Sequence, residues 1–316
     1  MTAVAPPRAS RLAGSVSGRR ASRGKPSPSH RELIRVRRLM LTPLTILLLT
    51  LTVFPFGYSV LLSFTDSSAL SPVTHFIGAR NYTDLLGNAA FWSAVRVTIV
   101  FTVLAVGIEI ALGVGVALAL NGLAREHRLL SACTVIPMAA TPVAVLFGWK
   151  VMLDPTLGVI NYLLSLIGLP QPDWLGTPTG ALATLVMVDV WMWTPFVIVI
   201  LMGALAALPA ELIEASHIDG ANWIQRFRFV IVPHLRPFLI VAVLFRGIDS
   251  LKIFDSFQIL TAGGPGDATT SLNMLAFRNG IQFLTFGRAS AIATMMLIIA
   301  FTFGKLTLRF ARSEES

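Results

Sequence analysis

Charged side chains are scarce in this sequence. Asp, Glu, Lys and Arg supply 13% of its 316 residues, against about 25% in an ordinary soluble domain. With 54% hydrophobic residues and a mean hydropathy of +0.73, the chain reads as a membrane protein whose apolar surface meets lipid. Cysteine is nearly absent as well. The single Cys133 excludes an intrachain disulfide and a thiolate metal cluster, and its place inside an apolar run marks it as a small buried hydrophobe. The histidines include no pair at metal-ligand spacing, so no metal site is expected. Acidic residues are rarest at the start. Residues 1–39 carry Arg8, Arg11, Arg19, Arg20, Arg23, Lys25, Arg31, Arg35, Arg37 and Arg38 against Glu32 alone. Rich in Ser, Pro and Gly, this tail buries no core and is expected to be disordered. Its position just before the first apolar run favours a topogenic role over a nucleic-acid arm.

What is present is a series of long apolar runs: Met40 to Phe64, Ala94 to Leu120, Leu129 to Leu153, Ala181 to Leu208, Phe238 to Leu260 and Phe286 to Leu308. Each is about 20 residues or more, enough to cross roughly 30 Å of hydrocarbon as a helix. The expected fold is an all-α polytopic membrane protein with six transmembrane helices over residues 40–308 and a short tail over 309–316. The first run is long enough to be a retained span and not a cleaved signal. With the N-terminus inside, the inner segments hold the basic tail, Arg125, Arg128, Arg226, Arg228, Arg236, Lys305, Arg309 and Arg312. The outer ones hold only Arg80 and Arg278, with Arg96 and Arg288 at span ends. This positive-inside pattern places both termini, and the connection between spans four and five, in the cytoplasm of an inner or plasma membrane. The outer connections leave no room for a folded enzyme domain.

The connection over residues 209–237 is polar. Glu211, Glu214, Asp219, Arg226, Arg228 and Arg236 would be costly in hydrocarbon without partners, so the segment belongs at a water face. Pro209 suits a first helical turn, Glu211 and Glu214 favour its positive end, and Gly220 offers a break before a second turn with Trp223, Phe227 and Val230. Pro233 and Pro237 are expected to end the element. A helix–bend–helix of this kind fits either a groove in a partner or the lipid interface, and amphipathicity does not separate the two.

Polar residues inside the runs mark candidates for a solute path. Asp189, Trp193 and Phe196 share a helical face, with Trp191 to the side; a carboxylate beside aromatic rings suits a sugar, and helix packing accounts for it equally. Arg246, Asp249, Lys252 and Asp255 recur at three-residue steps with alternating sign, so they can neutralise one another along a helix or contact a ligand. Glu109 shares a face with Thr98, Thr102 and Gly113, directed to the bundle interior. Gly263-Gly264-Pro265-Gly266 is followed by no Lys-Ser or Lys-Thr at phosphate-loop spacing, and Pro265 lacks an amide; an outer turn is the better reading. Nothing in the chain is suited to hydrolysing ATP.

The order Glu214-Ala215-Ser216, Asp219-Gly220-Ala221, Phe227, Val230, Val232, Pro233 resembles the EAA signature of the membrane-spanning subunits of binding-protein-dependent ABC importers, with conservative departures at Ser216, Val230 and Val232. The run from Arg246 to Asp255, followed by Thr261 to Gly266, is similar to the carbohydrate branch, with its maltose-type and glycerol-3-phosphate-type permeases. The resemblance implies a non-catalytic permease subunit with an EAA coupling helix between spans four and five. It implies that Glu214, Ala215, Ser216, Asp219, Gly220, Ala221, Phe227 and Pro233 seat in a cytoplasmic ATPase. The implied partners are a second, homologous permease, two ATP-binding subunits that hold ATP and Mg, and an extracytoplasmic solute-binding protein. Glu109, Asp189, Trp191, Trp193, Arg246, Asp249, Lys252 and Asp255 are the candidates for the sugar path. The rival reading is an ion-coupled secondary transporter using Glu109 and Asp189; it predicts an inverted repeat, which is not visible, and gives the EAA segment no role.

Overall fold

The computed structural model describes residues 30–71, 73–123 and 136–312. Their regular structure is helical, and the β-type pairing among them is an isolated antiparallel bridge between Thr65 and Phe76. The helices are α1 (His30–Leu48), α2 (Phe54–Leu62), α3 (Arg80–Leu86), α4 (Ala89–Leu123), α5 (Ile136–Ala139), α6 (Pro142–Met152), α7 (Val159–Leu166), α8 (Pro178–Ala206), α9 (Ala210–Ile218), α10 (Trp223–Arg226), α11 (Val232–Leu251), α12 (Leu272–Phe277) and α13 (Phe286–Arg312). The described residues up to Pro55 and those from Phe56 onward form two separate units.

Among the described residues, five helical stretches are long and apolar enough to cross a membrane: Arg37–Leu62, Ala89–Asn121, Pro178–Ala206, Trp223–Leu251 and Phe286–Ala311. Part of the expected third span, including Cys133, and the inner connection before it, with Arg125 and Arg128, lie outside the described residues. Its described remainder is split into α5 and α6 at Thr141, which is extended (φ −63, ψ 119) because it precedes Pro142. Of the N-terminal tail, residues 1–29 lie outside the described residues and α1 already begins at His30, while α13 continues to Arg312, inside the stretch expected as a tail.

The expected break at Pro233 and Pro237 is replaced by a continuous helix. A π-helical turn over Phe227–Ile231 closes with the Val232 N–H bonded to the Phe227 carbonyl, and α11 follows with Pro233 in its first turn. The wider turn gives room where the proline ring would otherwise meet the carbonyl four residues back. Another π-turn, Leu49–Val53, stands in the same relation to Pro55. The helix at the expected fifth span therefore covers Trp223–Leu251 and not 238–260.

In the larger unit the most extensive packing is of α4 on α8, with α11 against both and α13 against α11. Glycines set two of these approaches. A Cβ at Gly113 would lie 2.5 Å from Val197 Cγ1, and one at Gly247 would overlap the Phe303 ring. Phe101, Leu185, Val188 and Phe257 build the central core, and Ala117, Val197, Leu201 and Leu235 a second one.

Candidate functional site

A charged centre lies where α4, α8 and α11 meet. Arg246, on α11, is 2% exposed, yet every nitrogen of its guanidinium is used. Nε and Nη2 donate to the two oxygens of Glu109 on α4 at 2.7 and 2.8 Å. Nη2 also donates to Asp189 Oδ2 on α8 at 2.8 Å, and Nη1 to Asp249 Oδ2, one turn along α11, at 2.8 Å. The Trp193 ring lies 4.8 Å from the guanidinium carbon, close enough for a cation–π contact. Glu109 and Asp189 are sealed from solvent, whereas Asp249 is half-exposed. A planar fork with five donors is the side chain suited to collecting carboxylates from separate helices. Glu109 is delivered by the stripe of α4 that also buries Thr98 and Thr102.

This arrangement corrects the charge ladder read along one helix. Only Arg246 and Asp249 pair within α11, which ends at Leu251. Lys252 caps that end, is exposed, and gives its carbonyl to Asn273 Nδ2; Asp255 lies beyond the helix. The main partners of Arg246 come from α4 and α8 instead. The shared face of Asp189, Trp193 and Phe196 also divides. Phe196 packs into the second core, and Trp191 is 43% exposed and stands edge-on to Trp149, away from Arg246. Beside the charged centre is a cavity of about 160 Å³, lined by Asp189, Trp193, Asp249, Phe254, Asp255 and Ser256 among others. Phe254 and Ser256 carry no spacing signal that would have found them; they enter through the turn after α11.

The segment after α8 is a second built element. Pro209 precedes α9, and Asp219 caps it. Gly220 then takes φ +71, with its N–H bonded to the His217 carbonyl and that of Ala221 to the Ser216 carbonyl. This is a Schellman ending, whose left-handed residue is most often glycine. Asn222 and Gln225 immediately form a reciprocal capping box at 2.9 and 2.8 Å that starts α10. The Trp223 and Phe227 rings stack in parallel, and Ile218, Trp223, Ile224 and Phe229 are all more than half exposed. Glu214 and Ala215 face solvent, Ser216 is buried with its hydroxyl bonded to the Ile213 carbonyl, and Arg226 bonds His217. His234 donates to the Ala204 carbonyl at 3.0 Å, tying the start of α11 to the end of α8.

The loop after α11 is clamped. Thr269 Oγ1 bonds Thr261 Oγ1 and the Gly264 carbonyl, and Arg278 bonds Asp267 and the Ala262 carbonyl.

Residues 109–312 match the family described as binding-protein-dependent transport system inner membrane component. The chain is 36% identical over 274 residues to the trehalose/maltose transport system permease protein MalF of Thermococcus litoralis, covering 87% of this chain and 92% of the relative. It is 31% identical over 277 residues to the trehalose transport system permease protein SugA of Mycobacterium tuberculosis, covering 86% and 88%. Its fold is similar to a chain in the crystal structure of a bacterial alginate ABC transporter in complex with an alginate pentasaccharide-bound periplasmic protein, with a TM-score of 0.77, 20% identity, and coverage of 90% of this chain and 96% of the other.

Proposed function

The chain belongs to the family of binding-protein-dependent transport system inner membrane components, and from that premise we propose how it works as the permease subunit of a sugar ABC importer. In this reading it has six spans, the third running through residues 129–153, with both termini and segment 209–237 in the cytoplasm. It pairs with a second, homologous permease and with two subunits that bind ATP and Mg, while a solute-binding protein delivers sugar from outside. Trehalose or a maltose-type disaccharide is the proposed cargo, on the strength of the relatives' names. Catalysis is assigned to the ATPase subunits and none to this chain.

The observation that carries the coupling role is the element made by α9, the Gly220 turn and α10. It presents Glu214 and exposed apolar side chains on a rigid bend, the chemistry of a helix seated in a partner's groove. Trp223 and Arg246 belong to one helical stretch, Trp223–Leu251. At 1.5 Å per residue they lie about 35 Å apart along it. A displacement of the docked end therefore reaches the polar centre through one rod, with the His234 bond holding that rod to α8. Glu109, Asp189, Trp193, Arg246, Asp249 and Asp255 are proposed to flank the sugar path; Trp191 and Lys252 stand apart from it.

Gly220→Val and Glu214→Ala test this. A β-branched residue at φ +71 costs about 1–2 kcal/mol or more and redirects α10. Gly220→Asn is better tolerated, because Asn enters the left-handed region more readily. Loss of a charge-assisted contact at Glu214 costs about 1.5–3 kcal/mol, roughly tenfold or more in occupancy. Both variants insert normally, co-purify with less ATPase subunit and lose ATP-driven uptake. Full uptake with normal association in both would refute the coupling role.

A further inference from the structure

The cavity beside Arg246 carries one sign of charge. Asp189, Asp249 and Asp255 line it, and among the described residues no lysine or arginine does. Arg246 is already committed to Glu109, Asp189 and Asp249 and covered by Trp193. Ser256 is the least explained lining residue. It is 4% exposed, it precedes the π-turn Phe257–Thr261 without capping it, and its hydroxyl bonds no other described residue. Its oxygen opens into the cavity, where it is free to donate to and accept from an occupant.

Resting on the sugar-permease reading, we propose that this cavity binds an uncharged polyhydroxyl solute and turns away anionic ones, such as phosphorylated, sulfonated or carboxylated sugars. Sugar hydroxyls donate to Asp249 and Asp255, Ser256 both donates and accepts, and the C–H face of the ring lies on Trp193. Among the described lining residues an anionic group meets only like charge, in surroundings less polar than water and with no lysine or arginine to receive it. At about 160 Å³ the space is roughly the liquid volume of five waters, so one ring of a larger sugar occupies it at a time.

The test uses the assembled transporter in lipid nanodiscs, with binding read by saturation-transfer NMR. Trehalose, glucose and glycerol are each compared with their monophosphate esters. At least one uncharged solute binds, its ester binds at least tenfold more weakly, and D249N/D255N narrows that ratio at least threefold. Ser256→Ala weakens the uncharged solute severalfold without improving the ester. If D249N/D255N fails to assemble, Asp255→Asn alone, exposed and without an ion pair among the described residues, serves in its place. Equal or tighter binding of an ester, binding of no uncharged solute, or a ratio unmoved by the Asn variants overturns the proposal. ATPase subunits are counted in the same discs. Their presence without sugar binding counts against this inference alone, and their absence from the wild-type assembly counts against the permease reading.

Discussion

Arg246→Met is the most informative single change to the bundle. The guanidinium is the sole cation bonded to Glu109 and Asp189 among the described residues, and both carboxylates are at most 1% exposed. Removing one partner of a buried pair costs about 3–5 kcal/mol, because the charge left behind is desolvated and unpaired. That is a shift of roughly 10² to 10⁴ in the folded-to-unfolded ratio. The lost Trp193 contact adds about 0.5–2 kcal/mol. Asp249→Asn, at a half-exposed partner, costs at most about 1 kcal/mol. The decisive variant adds Glu109→Gln and Asp189→Asn to Arg246→Met. If the penalty is uncompensated charge, the triple variant regains most of the stability lost in the single one, a large coupling in a mutant cycle. SDS-titrated unfolding of the purified chain in mixed micelles measures wild type, Arg246→Met, Asp249→Asn, the Glu109→Gln/Asp189→Asn double variant that closes the cycle, and the triple variant. An Arg246→Met variant no weaker than Asp249→Asn, or a triple variant at the additive sum, would refute the reasoning.

Gly113→Ala puts a methyl against Val197, where it would lie 2.5 Å from Cγ1 and 2.9 Å from Cβ; overpacking of about 1–3 kcal/mol is expected in the same titration. Val197→Ala in that background restores part of it, and strict additivity would count against close approach of α4 and α8. At the turn after α6, the Leu157 amide, then the Thr156 hydroxyl and amide, donate to Asp154 and hold its carboxyl below the ordinary 3.8. A carboxyl lowered on folding contributes stability above its unfolded value and loses it as pH falls through the folded one. Amide exchange at residues 154–158, corrected for intrinsic rates, should be level from pH 5 to 8 and rise below 3.8 in wild type but not in Asp154→Ala; protection that persists at low pH would contradict this.

Much of the helix placement follows from sequence because solvation by lipid is a one-dimensional criterion: a run either is or is not long and apolar enough to cross. The turn at Gly220 was legible for a similar reason, since a Schellman ending and a capping box involve residues no more than five apart. The prolines misled. Proline constrains its own turn, but whether a helix stops or widens into a π-turn depends on what the following residues gain by continuing, and α11 continues into packing against α4, α8 and α13. The charged centre was the least legible part. Spacing along α11 exposed the Asp249 partner, three residues away, but Glu109 and Asp189 stand 137 and 57 residues from Arg246. Composition and periodicity determined that these charges lie on buried helix faces and need partners. Which partner each one takes was decided only when α4, α8 and α11 met, because a single guanidinium fork bonds whichever carboxylates the packing brings within 3 Å, and that distance is a property of the assembled bundle and of no helix in it.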